Sequence, residues 1–363
     1  MKIFIIVEWL EQYGGAEILA TTTALMANEI GFDVFVICMT PQIHSDYETL
    51  LNRLGIPIIV PTNNAENTNQ FIANLVNCYQ PAIIHFIPFE ETACSWLESV
   101  PPYGTATIIT EVTNANQNVY WITPRMKKAL LNAKHVIAMS TTAKNNLVNW
   151  YKFPGPITIM PPCAYSLAHL REYLPQPLQE HFSRNIVCIA RLSEEKGIEF
   201  LLGAMKQLRD DGLDVKLSIF GEGTDLARLS LQVKMMGLEK GVFLKKNFKF
   251  GGIEDVLRRY GLVVLPSLIE GLPTCLLEAM ACGRTFVATN VGGIGEIVQN
   301  NQWAKLVRPA DTYSLYCAIK DFITNPSKLI DGGILARKEY QDNWSYKIRL
   351  KQLENLYLAV AKN

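Results

Sequence analysis

Thirteen short and almost wholly apolar runs recur along this chain, and they constrain its fold more than any other feature. Examples are IFIIV at 3–7, IVCIA at 186–190 and LVVL at 262–265. Continuous rather than alternating hydrophobicity indicates strands covered on both faces, as in a parallel sheet wrapped by helices. Seven runs precede residue 161 and six follow residue 185, which is too many for one sheet of usual size. We therefore predict two doubly wound α/β domains.

The break between the two series falls in a proline-rich stretch with little apolar periodicity, from Pro161 to Arg184. It predicts an N-terminal domain at 1–165, a linker at 166–184 and a second domain at 185–339. Apolar residues then recur near helical spacing from Tyr340 to Ala361. This pattern predicts one long amphipathic helix at about 340–363 that must pack against a domain.

The bulk composition favours a soluble globular protein. Lys and Arg together number 34, as do Asp and Glu, and 49% of the residues are apolar. This balance argues against disorder and against a general nucleic-acid binder. The first apolar run is too short for a signal peptide, and no run is long enough to span a membrane. The eight cysteines form no C-x-x-C pair, so we expect buried thiols in a reducing cytoplasm.

The segment from Pro266 to Gly293 holds the most informative polar residues. Glu270 and Glu278 stand eight positions apart around a predicted helix start, with Pro273 suited to the first helical position and Gly283 to the C-terminal cap. The free N–H groups of the first turn would lie between the two carboxylates and form an anion site. Such a row suits a sugar, a diphosphate and a ribose. Salt bridges are the alternative interpretation of both carboxylates.

Two further loops follow predicted strands. Gly14 and Gly15 follow the first strand, where paired glycines allow close approach to a ligand or simply form a tight turn. Arg191 and Lys196 follow the first strand of the second domain, where two cations could converge on one diphosphate. The alternative for that loop is a solvated turn whose neighbouring glutamates, 194 and 195, neutralise the cations.

A third loop, FGEG at 220–223, begins like a dinucleotide fingerprint but has Leu226 where a small residue is needed. It predicts either a close turn beside a base or ribose, or an ordinary strand-to-helix turn.

These motifs, in this order and spacing, resemble the family 4 glycosyltransferases, whose fold is GT-B, with two facing Rossmann-like domains. The resemblance covers nearly the whole chain. It is densest over 185–300 and rests on E-x7-E (Glu270, Glu278), R-x4-K (Arg191, Lys196) and the GGAE loop. The family implies retaining transfer of a hexose-type sugar from a nucleotide-diphosphate sugar, with a UDP-sugar expected, to a glycan, lipid or small-molecule acceptor. The C-terminal helix resembles the family's crossover, which returns to the N-terminal domain.

The resemblance also implies roles for single residues. Arg191 and Lys196 would hold the diphosphate and stabilise its departing charge, Glu270 would hold the sugar, and Glu278 would bind the ribose; the first three are the candidate catalytic residues. The remaining implied donor contacts are Gly14, Gly15, Gly271, Leu272, Pro273 and Thr274. The sequence has no D-x-D pair, so we expect neither a bound metal nor a cofactor.

The acceptor half departs from the family pattern. Many relatives carry a His after the fifth strand, where this chain has Glu111. His85, on the preceding strand, is a candidate for the acceptor side or a buried strand histidine. The departure keeps an alternative open, namely a catalytically silent nucleotide-sugar-binding protein or a partner subunit of a glycosyltransferase complex.

A cluster of cations on a predicted N-domain helix raises the question of membrane contact. Arg125, Lys127, Lys128 and Lys134 gather near Trp121, a pattern that can touch anionic lipid. The alternative is a solvated helix face. Peripheral attachment to the inner membrane face is thus one expectation for an otherwise cytoplasmic protein.

Overall fold

All thirteen apolar runs are strands in the structure, a computed structural model that describes residues 1–61, 68–87, 91–98, 100, 104–112, 123–179, 182–246, 251–298 and 303–362. The strands are β1 (Lys2–Val7), β2 (Asp33–Cys38), β3 (Ile58–Ile59), β4 (Ile83–Phe86), β5 (Ala106–Glu111), β6 (His135–Ala138), β7 (Ile157–Ile159), β8 (Asn185–Ile189), β9 (Lys216–Phe220), β10 (Val242–Lys245), β11 (Leu262–Leu265), β12 (Thr285–Thr289) and β13 (Lys305–Val307). The third run is shorter than the sequence predicts.

Helices connect the strands throughout the described residues. They are α1 (Gly15–Glu29), α2 (Ser45–Arg53), α3 (Thr68–Tyr79), α4 (Glu91–Glu98), α5 (Pro124–Leu130), α6 (Thr141–Asn146), α7 (Ile198–Asp210), α8 (Leu226–Met235), α9 (Ile253–Leu257), α10 (Thr274–Ala281), α11 (Ile294–Ile297), α12 (Thr312–Ile323), α13 (Pro326–Asn343) and α14 (Tyr346–Lys362). A π-helical turn covers Leu147–Tyr151 and a 3₁₀ turn covers Glu194–Lys196. None of the helices in the described ranges is long and apolar enough to cross a membrane.

The chain divides into two compact units, each built on one parallel sheet. Unit 1 comprises residues 1–162 and 346–363, and unit 2 comprises residues 163–345. The strand order is β3-β2-β1-β4-β5-β6-β7 in unit 1 and β10-β9-β8-β11-β12-β13 in unit 2. Every described strand pair is parallel, and both strand faces are buried in most strands, which explains the continuous hydrophobicity. The prediction of two doubly wound α/β domains is confirmed.

The sheet order determines where ligand-binding loops can lie. In unit 2 the order reverses between β8 and β11, so the connections after these neighbouring strands leave towards opposite sides. Ligands of open α/β sheets bind in the crevice at such a switch point, outside the carboxyl ends of the strands. The loop after β8 contains residues 190–197 and the loop after β11 contains residues 266–273. Two motifs more than seventy residues apart in sequence therefore become neighbours.

The stretch predicted as a linker packs as part of unit 2. Both guanidinium nitrogens of Arg171 donate to Glu254, at 2.9 and 3.0 Å, and the backbone N–H of Leu174 donates to the same carboxylate at 2.7 Å. The pKa of Glu254 is lowered because the hydrogen bonds and charge of Arg171 outweigh the effect of burial, which would raise it. These contacts attach residues 171–174 to α9.

The structure has two helices where one C-terminal helix was predicted. The helical conformation is interrupted at Trp344 and Ser345, between α13 and α14. Trp344 leaves helical geometry with φ −128° and ψ 5°, so one uninterrupted helix from 340 is wrong. Only α14 belongs to unit 1, where Tyr357 bonds to Nδ1 of His85 at 2.7 Å and Arg349 donates to the carbonyl of Met160 at 3.2 Å. The helix periodicity continues across the break, which is why sequence alone merged the two.

A buried arginine joins several segments of unit 2. Arg284 is 1% exposed, and its Nε donates to the carbonyls of Leu257 and Tyr260 at 3.0 and 2.8 Å. Its Nη1 also donates to the carbonyl of Gln176. Burial lowers the pKa of Arg284 to about 10, so the side chain remains charged at neutral pH. One side chain thus satisfies carbonyls from the segment after β7, from the end of α9 and from the residues that follow α9.

We predict that Arg284→Met lowers the free energy of unfolding by about 3 kcal/mol, since each buried polar group left unsatisfied costs about 1–3 kcal/mol. Urea unfolding followed by circular dichroism measures the loss. Arg258→Met is the matched control, because Arg258 also bonds to Gln176 but its side chain is 54% exposed. We expect the control to lose less than about 1 kcal/mol. Equal losses in both variants would contradict the role assigned to Arg284.

Candidate functional site

The loop after β8 presents one exposed and one half-buried cation. The guanidinium of Arg191 is 69% exposed and donates to Oε1 of Glu195 at 2.7 Å. The hydroxyl of Ser193 donates to the same oxygen at 2.6 Å. Burial raises the pKa of Glu195, but the hydrogen bonds from Ser193, its own backbone and Arg191 outweigh it, and the pKa is lowered overall. Glu195 is therefore a carboxylate at neutral pH that orients Arg191.

The side chain of Lys196 contacts the loop after β11. Its Nζ lies 2.7 Å from Oε1 of Glu270, and the hydroxyl of Ser267 donates to the same oxygen, also at 2.7 Å. The side chains of Lys196 and Glu270 are only 18% and 9% exposed. A half-buried ion pair with an additional hydroxyl donor holds both charged groups in defined positions. The glutamates at 194 and 195 thus do not neutralise both cations, because Lys196 pairs with Glu270.

Close backbone packing brings these two loops together. Gly197 has φ +58°, and a Cβ there would lie 2.4 Å from the carbonyl oxygen of Pro266. The N–H of Leu268 donates to the carbonyl of Glu195 at 2.8 Å. Only glycine tolerates both the left-handed backbone and the contact with Pro266. The position directly after Lys196 therefore has to be glycine for the pair with Glu270 to form.

A third loop supports Glu270 from the other side. Gly292, in the turn after β12, has φ +57°, and a Cβ there would lie 2.0 Å from the carbonyl oxygen of Glu270. Its neighbour Gly293 donates its N–H to the carbonyl of Gly271 at 2.7 Å. The glycines of this turn are therefore needed for close packing under Glu270 and Gly271.

The helix that begins beside Glu270 starts one residue later than predicted. Thr274 is the first residue of α10, and Pro273 is its N-cap residue, with φ −72° and ψ 121°. Leu272 is buried, and no side chain caps the helix start. The N–H groups of the first turn are consequently directed towards the end of the sheet where Lys196 and Glu270 lie. Gly283 ends the helix as expected, with φ +73°.

Glu278 lies in the second turn of α10 and is 7% exposed. The hydroxyl of Tyr173 donates to its Oε1 at 3.3 Å. Burial raises the pKa of Glu278 from 4.5 to about 7, and the hydrogen bond from Tyr173 offsets part of this rise. Tyr173 itself is held by Arg337, whose Nη1 donates to its carbonyl at 2.8 Å.

Sequence reasoning missed Tyr173 because it lies in the stretch assigned to the linker, 105 residues before its partner. No local signal marks such a contact. The one clue is the need of a carboxylate in an apolar helix for a hydrogen-bond donor from elsewhere.

The glycines of FGEG serve backbone packing. A Cβ at Gly221 would lie 1.9 Å from the carbonyl oxygen of Ala190, and one at Gly223 would lie 2.2 Å from that of Leu192. The N–H of Leu192 donates to the carbonyl of Glu222 at 2.8 Å. This turn therefore supports the loop that carries Arg191, as a strand-to-helix turn with close contacts.

In unit 1, Gly14 and Gly15 lie at the start of α1, with Gly14 as the N-cap residue. The carboxylate of Glu17 folds back over Gly14, since a Cβ on Gly14 would lie 2.2 Å from its Oε2. Trp9 donates its indole N–H to Oε1 of Glu17 at 2.8 Å. A buried carboxylate that the sequence did not single out therefore lies at this helix start.

The two candidates for the acceptor side are both in the interior of unit 1. His85 is 0% exposed and bonds through Nε2 to Thr110 at 2.6 Å, besides its bond to Tyr357. Burial, with smaller effects of Arg349 and His135, lowers the pKa of His85, so the ring is neutral. His85 is thus a buried strand histidine. Glu111 ends β5, is 6% exposed, and raises the pKa of Tyr151 through its charge, after the larger effect of burial.

No group of three or more His, Cys, Asp or Glu side chains that could hold a metal ion occurs in the part of the chain that the structure describes. That the protein works without a metal ion remains a prediction. Trp121, part of the predicted cationic cluster, lies outside the described residues.

Sequence comparison finds similar proteins for the part of the chain that carries this site. The family model for glycosyl transferases group 1 matches residues 183–325. A human protein named as a subunit of phosphatidylinositol N-acetylglucosaminyltransferase is 30% identical over 174 residues, covering 48% of this chain and 35% of that protein. A GDP-mannose-dependent alpha-(1-6)-phosphatidylinositol monomannoside mannosyltransferase of Mycolicibacterium smegmatis is 27% identical over 178 residues, covering 47% of each. The chain thus spans about a third to a half of the length of these relatives.

Solved structures match the fold over the whole chain. A glycosyltransferase from Rickettsia africae has a TM-score of 0.79 and 18% identity, covering 100% of this chain and 99% of that one. HepE from Anabaena, solved in complex with UDP, has a TM-score of 0.80 and 17% identity, covering 99% of this chain and 100% of that one. At such identities the likeness concerns the fold alone, and it confirms the GT-B prediction.

We predict that Gly292→Ala lowers the free energy of unfolding by more than about 2 kcal/mol, because it adds a clash with Glu270 to the strain of a left-handed residue. Thermal and urea unfolding measure this. Gly212→Ala is the control, since Gly212 has φ +75° with no atom within 4 Å of the added Cβ. Only the strain, about 1 kcal/mol, should appear there. A loss no larger at 292 than at 212 would refute the packing argument.

Glu278 gives a second prediction, for the pH dependence of stability. Folding raises the pKa of Glu278, so the protein is more stable with this carboxyl group protonated. The stabilisation is complete below pH 4.5 and is lost as the pH rises through 7. Glu278→Gln removes this loss. The unfolding free energy of the variant should therefore rise relative to the parent by about 3 kcal/mol between pH 4.5 and pH 8.

The control for this titration is Glu254→Gln, because the pKa of Glu254 is shifted the other way. Its stabilising effect is present above the ordinary pKa and is lost as pH falls. The difference between this variant and the parent should stay constant above about pH 5 and shrink below it. A Glu278→Gln difference that is flat from pH 4.5 to pH 8 would show that Glu278 titrates normally.

Proposed function

We propose that the chain is a retaining, metal-independent hexosyltransferase of the glycosyl transferases group 1 family, whose model matches residues 183–325, and that it uses a nucleotide-diphosphate sugar. The observation that carries the proposal is the pair of Lys196 and Glu270 at 2.7 Å, at the switch point of the unit 2 sheet. It joins a cation for the diphosphate to a carboxylate for the sugar, beside a helix start that can hold a phosphate.

The proposed chemistry requires stabilisation of the leaving group. When the bond between the anomeric carbon and the diphosphate oxygen breaks, its electron pair stays on that oxygen. The ammonium group of Lys196 has three N–H donors and uses one for Glu270, so the others can face a phosphate oxygen. Arg191 is exposed and held on one side by Glu195, which leaves most of its fork to face the same diphosphate. Fixed charges of this kind stabilise the developing anion without a metal.

The two carboxylates would then bind hydroxyl groups on either side of the diphosphate. Glu270, held by Lys196 and Ser267, would accept from sugar hydroxyls near the reacting carbon, together with the backbone of 271–274. Glu278 would accept from the ribose, while Tyr173 donates to its Oε1. The new glycosidic bond would form to an acceptor oxygen on the same face as the departing diphosphate, and the acceptor proton would pass to the diphosphate oxygen that leaves.

The similar proteins support the donor more than the acceptor. UDP is bound in the HepE structure, which favours a UDP-sugar for this chain. Two relatives are named for phosphatidylinositol substrates, which supports a lipid among the acceptor classes of glycan, lipid and small molecule. All eight cysteines are free thiols, in keeping with the cytoplasmic location that we propose.

A second candidate function is a catalytically silent donor-binding protein or a component of a larger complex. The human relative is named as one subunit of its enzyme, and Glu111 stands where many family members have a His. Donor binding without hydrolysis or transfer, together with a stable partner, would favour this candidate.

We predict that Lys196→Ala lowers kcat/KM for donor hydrolysis by about 100- to 1,000-fold, the usual effect of removing one group that stabilises a developing anion. The assay incubates the protein with UDP-, GDP- and ADP-sugars and measures release of the nucleotide; NMR of a transfer product then tests retention. Lys206→Ala is the matched control, because Lys206 lies on α7 and pairs only with Asp210 among the described residues. We expect full activity in the control. Donor turnover that survives in Lys196→Ala would disprove the assigned role, and absence of turnover or binding with every donor would disprove the function.

A further inference from the structure

The charges of residues 1–162, the N-terminal part of unit 1, are separated along the sequence. Residues 1–111 contain twelve Asp and Glu but only two Lys and Arg. Residues 112–162 contain no Asp or Glu at all, whereas they contain six cations. These six residues, here called the basic face, are Arg125, Lys127, Lys128, Lys134, Lys144 and Lys152. The near balance of the whole chain conceals this asymmetry.

The fold collects the basic face at one edge of the sheet. Strands β5, β6 and β7 follow one another in sheet order, and the connections between them contain α5 and α6. Parallel connections that advance in the same direction are right-handed, which puts α5 and α6 on the same side of the sheet. The cations of the basic face all lie on these helices or within a few residues of them. All are exposed except Lys144, which is half-buried.

Several acidic residues of unit 1 lie towards the opposite edge. Asp33 begins β2, and Asp46 and Glu48 lie on α2, between β2 and β3. Strands β3 and β7 are six strand spacings apart, or about 29 Å at 4.8 Å per spacing. This separation is several times the Debye length of about 8 Å at physiological salt, so the acidic edge does not cancel the basic face.

Few carboxylates neutralise the basic face directly. Arg125 lies 3.6 Å from Glu98 of α4, and both side chains are about half exposed. Glu111, at the end of β5, is buried. Within the described ranges, no ion pair involves any of the five lysines of the basic face. The five lysines therefore present their charge to solvent.

Large apolar side chains are exposed among these cations. Leu131, Val148 and Trp150 are 44%, 46% and 44% exposed, and they are three of the five large hydrophobic residues exposed in the described part of unit 1. Val148 and Trp150 lie in the π-helical turn, whose Leu147 and Tyr151 are buried and anchor it. The turn consequently directs the indole ring of Trp150 outwards, two residues before Lys152.

We propose that the basic face docks on an anionic lipid bilayer. Lysines near an anionic membrane surface are attracted to lipid headgroups, and tryptophan partitions into the interface. A bilayer accommodates the cations together with all three exposed apolar side chains, whereas a nucleic acid offers base stacking for Trp150 but no apolar environment for Leu131 and Val148. The charge separation would orient unit 1 with the β7 edge towards the lipid. This proposal is independent of the proposed function, since docking requires neither donor nor transfer.

Co-sedimentation with vesicles tests the proposal. Vesicles of phosphatidylcholine alone are compared with vesicles that contain about 30% phosphatidylglycerol. Each is tested at about 100 mM NaCl, where the Debye length is about 10 Å, and at about 500 mM NaCl, where it is much shorter. The parent should bind only the anionic vesicles. K127E/K128E should bind about 25-fold more weakly at low salt, at about fivefold for each lysine near the surface.

The matched control is K234E/K240E, which makes the same change of net charge at exposed lysines of unit 2. We expect parental binding from it. Trp150→Ala should lose several-fold of the binding that survives high salt, whereas Met235→Ala, at a side chain 79% exposed in unit 2, should not. Circular dichroism melting verifies that each variant is folded.

Three outcomes would overturn the proposal. The parent could fail to bind anionic vesicles, or bind neutral vesicles equally well. The control K234E/K240E could lose as much binding as K127E/K128E, which would make net charge the cause. Finally, single-stranded RNA or polyglutamate could compete with the vesicles and bind equally well irrespective of Trp150, which would identify a general anion-binding face instead of a membrane face.

Discussion

The contact between the loops after β8 and β11 is the interaction on which the candidate site of unit 2 depends. Gly197 lies against the carbonyl of Pro266, and the N–H of Leu268 bonds to Glu195, so the two loops share backbone contacts. Their separation of about seventy residues in sequence means that only the reversal of strand order brings them together. Lys196 and Glu270 can pair at 2.7 Å because their backbones are already fixed by this packing. The ion pair is thus a consequence of backbone fit more than its cause.

Three buried ionisable side chains of unit 2 share a pattern, in which each forms a hydrogen bond with the segment after β7. Tyr173 donates to Glu278, Leu174 donates to Glu254, and the carbonyl of Gln176 accepts from Arg284. Each of these three groups thereby obtains a partner that its own helix or strand cannot offer. A stretch rich in proline has few backbone donors of its own to satisfy, which suits it to this role. The same composition made it resemble a linker in the sequence.

Sequence reasoning was reliable where local pattern determines structure. A strand buried on both faces must be continuously apolar, so all thirteen strands were predictable. The proximity of the loops that carry Arg191, Lys196 and Glu270 was predictable because both follow strands at the switch point, whereas the donor-binding roles of these residues stay predictions. Tyr173 and Glu17 were not, because their partners depend on side-chain packing that no local pattern encodes. The break at Trp344 was missed since the apolar spacing continues across it. His85 left two interpretations, and only the bonds to Thr110 and Tyr357 distinguish them.

The distribution of charge at the two predicted ligand loops separates their chemistry. The loop after β8 in unit 2 presents Arg191 and Lys196, whereas the start of α1 in unit 1 has the carboxylate of Glu17 folded over Gly14. A phosphate approaching that helix start would meet a buried negative charge, which costs more in a poorly solvated place than in water. A hydroxyl group, by contrast, can donate to a carboxylate and accept from a backbone N–H. Under the proposed function, the start of α1 would therefore suit a polyhydroxyl ligand better than a phosphate, and we assign the diphosphate to the cations of unit 2.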